Sequence, residues 1–484
     1  MLSSEISEIL NLIYYLSPFF TLIFGTIVIS FLIIWKKIKI AKVVSYISLL
    51  MSLFFTLYFI YNNYTFVISN STLIIDKFSQ LIWLAILAGG IVSLSSMHEE
   101  LLKREAQPLL LLSVASGLLV ISSRDLLILF LSLEATVFPT YALVSQLKRD
   151  PISAEATVKY FVFGILSTLL FGYGIALIYG SVGSTLFINI KNFINSQDYA
   201  SFSNYIMLGL ILIILSLAIK ATLFPLHVWA IDTYQGSPTS ISAYLSSSSK
   251  IIGIAAIALL LVGPFYDLYT IFGFELRYIM SILVVATIIL PNIAGLVQRN
   301  IKRLLAYSSV AHSGYMALVY VYPEGTLQFL AYYLITYSIA KSVSFLITNL
   351  ISGEGSYSPY DLLRGLFKYR RTSLAAITFA IALLSLAGIP PFAGFMAKFL
   401  IFLNTSYMGN LGIALALIAL IMSAVSVYYY AYLIRLEVLP TTNGANINFV
   451  SRLDSNCVMI ISILLLLVLT FYPNLFILPF PLLE

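Results

Sequence analysis

The chain has 484 residues, 60% of them hydrophobic and 10% charged, with a formal net charge of +6 and a mean hydropathy of +1.00. A soluble domain needs charge on roughly a quarter of its residues, so a soluble globular fold is excluded. The positive balance does not point to nucleic acid, because the basic residues sit in short stretches between apolar runs, where membrane topology puts them.

Those runs are about 20 residues long, the length a helix needs to cross roughly 30 Å of hydrocarbon. They are continuous rather than alternating and too long for barrel staves, so they read as helices. About fourteen are predicted, in chain order near residues 12–35, 43–61, 76–97, 108–122, 126–146, 157–180, 206–230, 239–263, 277–297, 303–321, 327–351, 374–404, 411–433 and 457–478. The opening MLSSEISEIL carries acidic residues and no basic one, unlike a cleavable signal peptide, so the first run is expected to be a retained span. Loop charge alternates. One set of loops holds Lys36, Lys37, Lys39 and Lys42, then Lys103 and Arg104, Lys148 and Arg149, Arg299, Lys302 and Arg303, and finally Arg364, Lys368, Arg370, Arg371, Arg435 and Arg452. The opposite set holds Arg124, Lys191 and Arg277, with Lys77 at a span edge. The positive-inside rule puts the first set in the cytoplasm and both termini outside, as in a multi-pass protein of the cell membrane.

Two spans contain interruptions. One reads IKATLFPLHVWAIDTY, with Pro225 inside it, and the other LAGIPPFAGFMAKF, with Gly388, Pro390 and Pro391. Proline removes a helical hydrogen bond and clashes with the preceding turn, so both helices should be broken or bent. A kink without function is the plain alternative. However, the interval from Pro225 to Pro390 is close to that between the starts of the fourth and ninth spans, near 108 and 277. An odd number of spans lies between the breaks, so repeats of that length would be inverted. Paired broken helices in inverted halves mark ion paths in transporter folds.

Charges also fall where they are costly. Lys159, Lys220, Lys250, Lys341 and Lys398 lie in or at the edge of spans, and Glu134 lies inside one. Each ionised group at a helix centre costs about 2.5–3.5 kcal/mol on insertion scales. Lys159 starts its span near Lys148 and Arg149, which suits snorkelling to the interface. Lys220 and Glu134 are too far from a span end for that, and a static buried ion pair is the alternative to a proton relay. Desolvation in general depresses a lysine's pKa and a neighbouring carboxylate raises it, so a lysine between those influences can exchange a proton. His227 just past Pro225, His312 within AYSSVAHSGY, and Ser246 to Ser249 running up to Lys250 could fill gaps between lysines. A hydrogen-bonded structural role fits each histidine as well, and the serines can be satisfied by their preceding turn.

These motifs carry a resemblance. LEATVFPTYALV, EATVKYFVFG followed by YGSVGST, LFPLHVWAIDTYQGSPTSISAYL, NIKRLLAYSSVAHSGY and AGIPPFAGFMAKF occur in this order across roughly residues 75–435. The chain resembles the antiporter-like subunits of complex I, most closely subunit N, called subunit 2 in mitochondria. The resemblance implies an all-α polytopic membrane fold of fourteen helices with two inverted five-helix repeats, each holding a broken helix. It divides the chain into N-terminal helices (1–107), a first repeat (108–275), a second repeat (276–435) and a C-terminal loop and helix (436–484). By motif, Glu134 is similar to the glutamate that pairs with the broken-helix lysine, here Lys220. Lys250 is similar to the next relay lysine, and Lys398 to the lysine leading to the outer exit; His227 and Asp232 fall in a matched motif. Lys341, in YSIAKSVSFL, is not usual for subunit N and is similar to a lysine of the sister subunits. It is either a relay member between Lys250 and Lys398 or a neutral lysine holding two helices together.

The function implied is proton translocation within the membrane arm of a quinone oxidoreductase, coupled to redox chemistry in partner subunits. No cofactor is expected in this chain. Its single cysteine, Cys457, rules out a disulfide framework and any all-cysteine cluster, and His98, His227 and His312 are too widely spaced to suggest haem. Expected partners are the other membrane-arm subunits and the bilayer, with protons and water as the transported species. The competing readings are a subunit of a multi-subunit cation/proton antiporter and a solute transporter, the latter lacking an obvious substrate-binding set.

Overall fold

The computed structural model of the chain describes residues 11–68, 71–271, 273–323, 326–368, 372–440 and 453–476. Among them, 11 helices are long and apolar enough to cross a membrane, and Ala106–Ser122 and Ser373–Ala387 are shorter apolar helices. In chain order the principal helices are α1 Ser17–Ile34, α2 Ile38–Tyr61, α3 Lys77–Ser96, α4 Ala106–Ser122, α5 Leu126–Val144, α6 Pro151–Val182, α7 Tyr199–Lys220, α8 Val228–Gly236 and α9 Thr239–Val262. They continue as α10 Gly273–Leu296, α11 Ile301–Ala317, α12 Leu327–Ser352, α13 Ser373–Ala387, α14 Ala393–Ser406, α15 Asn410–Val438 and α16 Leu453–Phe471.

Local chemistry explains several boundaries. The Asp125 carboxylate accepts from the N–H groups of Leu127 and Ile128 and starts α5, satisfying donors that a helix start leaves orphaned. Asp150 does the same for Ile152, with Pro151 in the first turn, so α6 begins six residues earlier than its apolar run suggests. Gly183, at φ +73, closes the other end of α6. The predicted span 374–404 is two helices, α13 and α14, and the predicted span 206–230 is α7 with the start of α8.

Burial sorts the helices into an inside and an outside. The most apolar stretch of α12 is wholly buried, and those of α9 and α3 are 89% and 83% buried. Only 22% of that stretch is buried in α1, and 28% in α15 and α16. Thus α12 is the central post, packed against α3, α9, α13 and α14, while α1, α2, α15 and α16 present apolar faces outward.

The two ends of the bundle differ. At one, a small antiparallel hairpin (β1 Phe66–Ile68, β2 Leu73–Ile75) pairs Phe66 with Ile75, and buried Arg124 binds Asp76 at 2.8 Å. At the other, Arg104, Lys148 and Arg149 line a cavity of about 970 Å³, and the Lys36–Lys42 segment faces Lys103. Lys36, Lys37, Lys39, Lys42, Lys103, Arg104, Lys148 and Arg149, which the charge pattern assigns to one side, share one end. Lys302 and Arg303 are a correction, since they belong to the first turn of α11, where the Asn300 side chain accepts from the Arg303 N–H, rather than to a loop.

Candidate functional site

Breaking a helix inside a bundle frees backbone groups that need partners, and the break after α7 finds them on its neighbours. Lys220 is the last residue of α7, and α8 resumes beyond His227. Between them, Ser313 Oγ of α11 donates to the Ala221 carbonyl at 2.7 Å, and the Phe224 N–H donates to Thr287 Oγ1 of α10 at 3.0 Å. Thr222 adopts φ +57, and its hydroxyl lies 3.1 Å from Ser313 Oγ. Gly253 of α9 presses on this break. A Cβ there would stand 2.9 Å from the Ala221 nitrogen and 3.0 Å from Lys220 Cβ, so only glycine lets α9 come so close.

Lys220 Nζ lies 3.8 Å from Glu134 Oε1 of α5, with both side chains 11% exposed. Lys220 Nζ and Glu134 Oε2 have no hydrogen-bond partner among the described residues. The pair is in charge contact without a bond. His227, the residue before α8, has no hydrogen-bond partner for its Nδ1 among the described residues, and its ring lies 5.6 Å from that of Phe224.

The second break has a related construction. α13 ends at Ala387, Gly388 takes φ +77, and α14 starts at Ala393. Lys398 reaches back from α14, donating to the Ala387 carbonyl and to Ser423 Oγ of α15, both at 3.0 Å, with its Nζ 4.9 Å from the Tyr315 ring centre. Each broken helix therefore has a lysine at the carbonyl end of its first half, one belonging to that half and one reaching back to it. A Cβ on residue 388 would lie 2.9 Å from Lys398 Cδ. Gly388→Ala is expected to cost about 1–2 kcal/mol in backbone strain and to push Lys398 off Ala387. A lowered thermal midpoint in detergent together with a displaced Lys398 in a structure of the variant checks this; an unchanged midpoint contradicts it.

Between the breaks, α11 carries a row of polar side chains. Lys250, 1% exposed, follows a π-helical turn at Leu245–Ser249, a local winding common at functional sites. Its ammonium donates to the Ser309 carbonyl and to Ser309 Oγ at 2.8 Å. Ser309 Oγ is 2.8 Å from the Tyr337 hydroxyl, which donates to the Ser246 carbonyl at 2.8 Å. The directions follow. Tyr337 spends its proton on Ser246, so Ser309 donates to Tyr337 and accepts from Lys250. Lys341, fully buried, donates to Ser308 Oγ, whose own proton goes to the Leu305 carbonyl at 2.9 Å. One turn on, His312 sits with Nδ1 2.9 Å from the Tyr333 hydroxyl and Nε2 3.3 Å from that of Tyr430. The serines before Lys250 bond to backbone, Ser247 to Ala243 and Ser248 to Ile86.

Consecutive positions of α11 thus join Lys341 and Lys250, and His312 lies on the same face. Tyr333, Tyr337 and Tyr430 were not singled out from the sequence. Their signal was present, because Tyr333, Tyr337 and Lys341 follow one another at four-residue intervals along α12, a single helix stripe. Lys159 does not snorkel freely: it pairs with Glu155 and Asp232, each at 2.6 Å, and Arg303 meets the other oxygen of Asp232 at 2.9 Å. That cluster ties α6, α8 and α11 together at the end of the bundle where Lys302 donates to the Ser237 carbonyl at 2.6 Å.

A bundle with two broken helices and with buried lysines from α9 and α12 meeting on α11 defines a polytopic membrane protein of antiporter-like architecture. The family described as NADH:quinone oxidoreductase/Mrp antiporter, TM matches residues 123–427. NADH-quinone oxidoreductase subunit 14 of Thermus thermophilus is 38% identical over 323 residues, covering 66% of this chain and 68% of that one. Subunit N of Chlorobium chlorochromatii is 32% identical over 431 residues, covering 86% and 82%. Among solved structures, a chain of respiratory complex I from Thermus thermophilus with bound aureothin superposes with a TM-score of 0.79 at 29% identity, covering 94% of this chain and 97% of that one. A chain of the Mrp complex from Dietzia gives 0.83 at 19% identity, covering 96% and 95%, a likeness of fold alone. The chain belongs to the NADH:quinone oxidoreductase/Mrp antiporter membrane family, in its subunit N group.

Proposed function

We propose that this chain is a membrane-arm subunit of a complex I-type quinone oxidoreductase and moves protons between its two broken helices. It holds no redox cofactor of its own in this reading and depends on partner subunits of the arm for the electron chemistry. Glu134 and Lys220 form the switchable pair, Lys250 and Lys341 pass protons along α11, His312 links them towards Lys398, and Lys398 leads to the exit beyond the second break. His227 is assigned to the polar surroundings of the first break, where water would have to connect it. In this reading the lysine-rich end of the bundle faces the cytoplasm and both termini lie outside, which the bias of loop charge supports. The two broken helices belong to inverted repeats, 108–275 and 276–435.

The observation that carries this reading is the pair of consecutive serines, Ser308 and Ser309, that take the ammonium groups of Lys341 and Lys250. Proton transfer needs groups within hydrogen-bond reach or one water apart, and Ser308 and Ser309 each hold a lysine ammonium within that reach. The fold likeness to the Mrp chain supports a second reading, a gradient-driven cation/proton antiporter. Reconstitution separates the two. The assembly purified through this chain should contain quinone-reducing subunits and acidify vesicles when quinone is reduced, in sodium-free buffer. Cation/proton exchange with no redox partner in the assembly would favour the antiporter instead.

A further inference from the structure

At the lysine-rich end, the turn between α1 and α2 and the short segment Glu99–Lys103 enclose a groove of about 680 Å³ lined by Lys36, Lys37, Lys39, Lys42, Lys103 and Glu99. Lys42 is engaged with Asp454 of α16 at 2.5 Å. The other four ammonium groups have no carboxylate within 4.0 Å among the described residues. Such a concentration of positive charge next to a single glutamate calls for an anion.

The surroundings say which kind. The groove opens at the ends of α1 and α2, the former the least buried of the candidate spans. Ile34, Trp35, Ile40 and Val43 beside it are 71%, 65%, 51% and 57% exposed. An apolar wall with a tryptophan at its edge and a cluster of lysines above it matches the boundary of a bilayer, acyl chain below and phosphate above. Residues 441–452, which precede α16 and Asp454 in sequence, include no acidic residue.

We propose that this groove is a binding site for the phosphate-bearing headgroup of an anionic phospholipid. Lys36, Lys37, Lys39 and Lys103 hold the headgroup, and the acyl chains lie against the exposed faces of α1 and α2. The proposal is independent of the proton route.

Trp35 provides the probe, because Trp83 and Trp229 are buried. The full chain is reconstituted in phosphatidylcholine vesicles containing phosphatidylglycerol or extra phosphatidylcholine carrying a nitroxide high on one acyl chain. Quenching of tryptophan fluorescence then measures the relative association of each lipid. Quenching by labelled phosphatidylglycerol should exceed that by labelled phosphatidylcholine roughly fivefold, given the attraction each lysine near the surface supplies. In the variant Lys36→Gln, Lys37→Gln, Lys39→Gln, Lys103→Gln the ratio should fall to about one, and the matching four Lys→Arg changes should restore it. Equal quenching in the parent chain overturns the proposal. Loss of the preference in millimolar inorganic phosphate assigns the groove to a free anion and overturns it too. So does a photo-crosslinker at position 39 that captures a partner protein, and no lipid, in the assembled membrane.

Discussion

Glu134→Gln is expected to lower redox-driven proton pumping about tenfold or more while the complex still assembles. The Coulomb attraction between unit charges 3.8 Å apart is roughly 4 kcal/mol at an effective dielectric constant of 20. A tenth of the rate corresponds to only about 1.4 kcal/mol. Glutamine keeps the shape of the side chain, so α5 has no steric reason to move. What disappears is the charge that faces Lys220, and neither that carboxylate's second oxygen nor Lys220 Nζ has a bonded substitute nearby. Glu134→Asp keeps the charge one methylene further back and should retain part of the activity. Pumping is read by dye quenching in reconstituted vesicles, and assembly by the yield of intact complex. Full pumping by a normally assembled glutamine variant removes the pair from the mechanism.

Replacing Lys341 should have an effect of similar size, and the choice of replacement separates two roles. Its ammonium is wholly enclosed and rests on Ser308. Lys341→Met fills much the same volume and removes the exchangeable proton, so pumping should drop about tenfold. Lys341→Arg keeps the charge and releases its proton far less readily, so a relay residue predicts a comparable loss. A lysine that merely holds α11 to α12 predicts the opposite for arginine, with near-normal pumping, and that result would take Lys341 out of the route. Ser308→Ala guards against a misfit of the larger guanidinium. It leaves the lysine in place without its acceptor and should slow turnover in the same direction.

Eleven of the crossing helices and both breaks were legible because each depends on local composition: apolar length sets a crossing helix, and Pro225 or Pro390 stops one. Glu134 and Lys220 were legible for the same reason, since a charge in mid-span stands out against its neighbours. Lys302 and Lys159 were harder. In sequence they resemble loop and interface charges, and only the folded chain brings the carbonyls of Ser237 and Gly355 to one and Asp232 to the other. The tyrosines around His312 were hidden by their abundance, 33 in the chain. An aromatic in a membrane helix reads as packing until its hydroxyl is seen to meet a lysine's serine. Which of the polar residues in α9 and α11 face each other depends on helix rotation, and a π turn before Lys250 shifts that rotation by an amount no periodicity count includes.

The position of α12 has a consequence for biogenesis. It is the most enclosed of the candidate spans and also the least hydrophobic, with a mean hydropathy of 1.4 where the others range from 1.8 to 2.4. Lys341, Asn349, Tyr333 and Tyr337 give it a composition that hydrocarbon tolerates poorly. Left alone in lipid during synthesis, such a segment has little to hold it across the bilayer. Its insertion is therefore expected to depend on its own chain: α3 and α9, made earlier, pack against one side of it in the folded bundle, and α13 and α14, made later, against another.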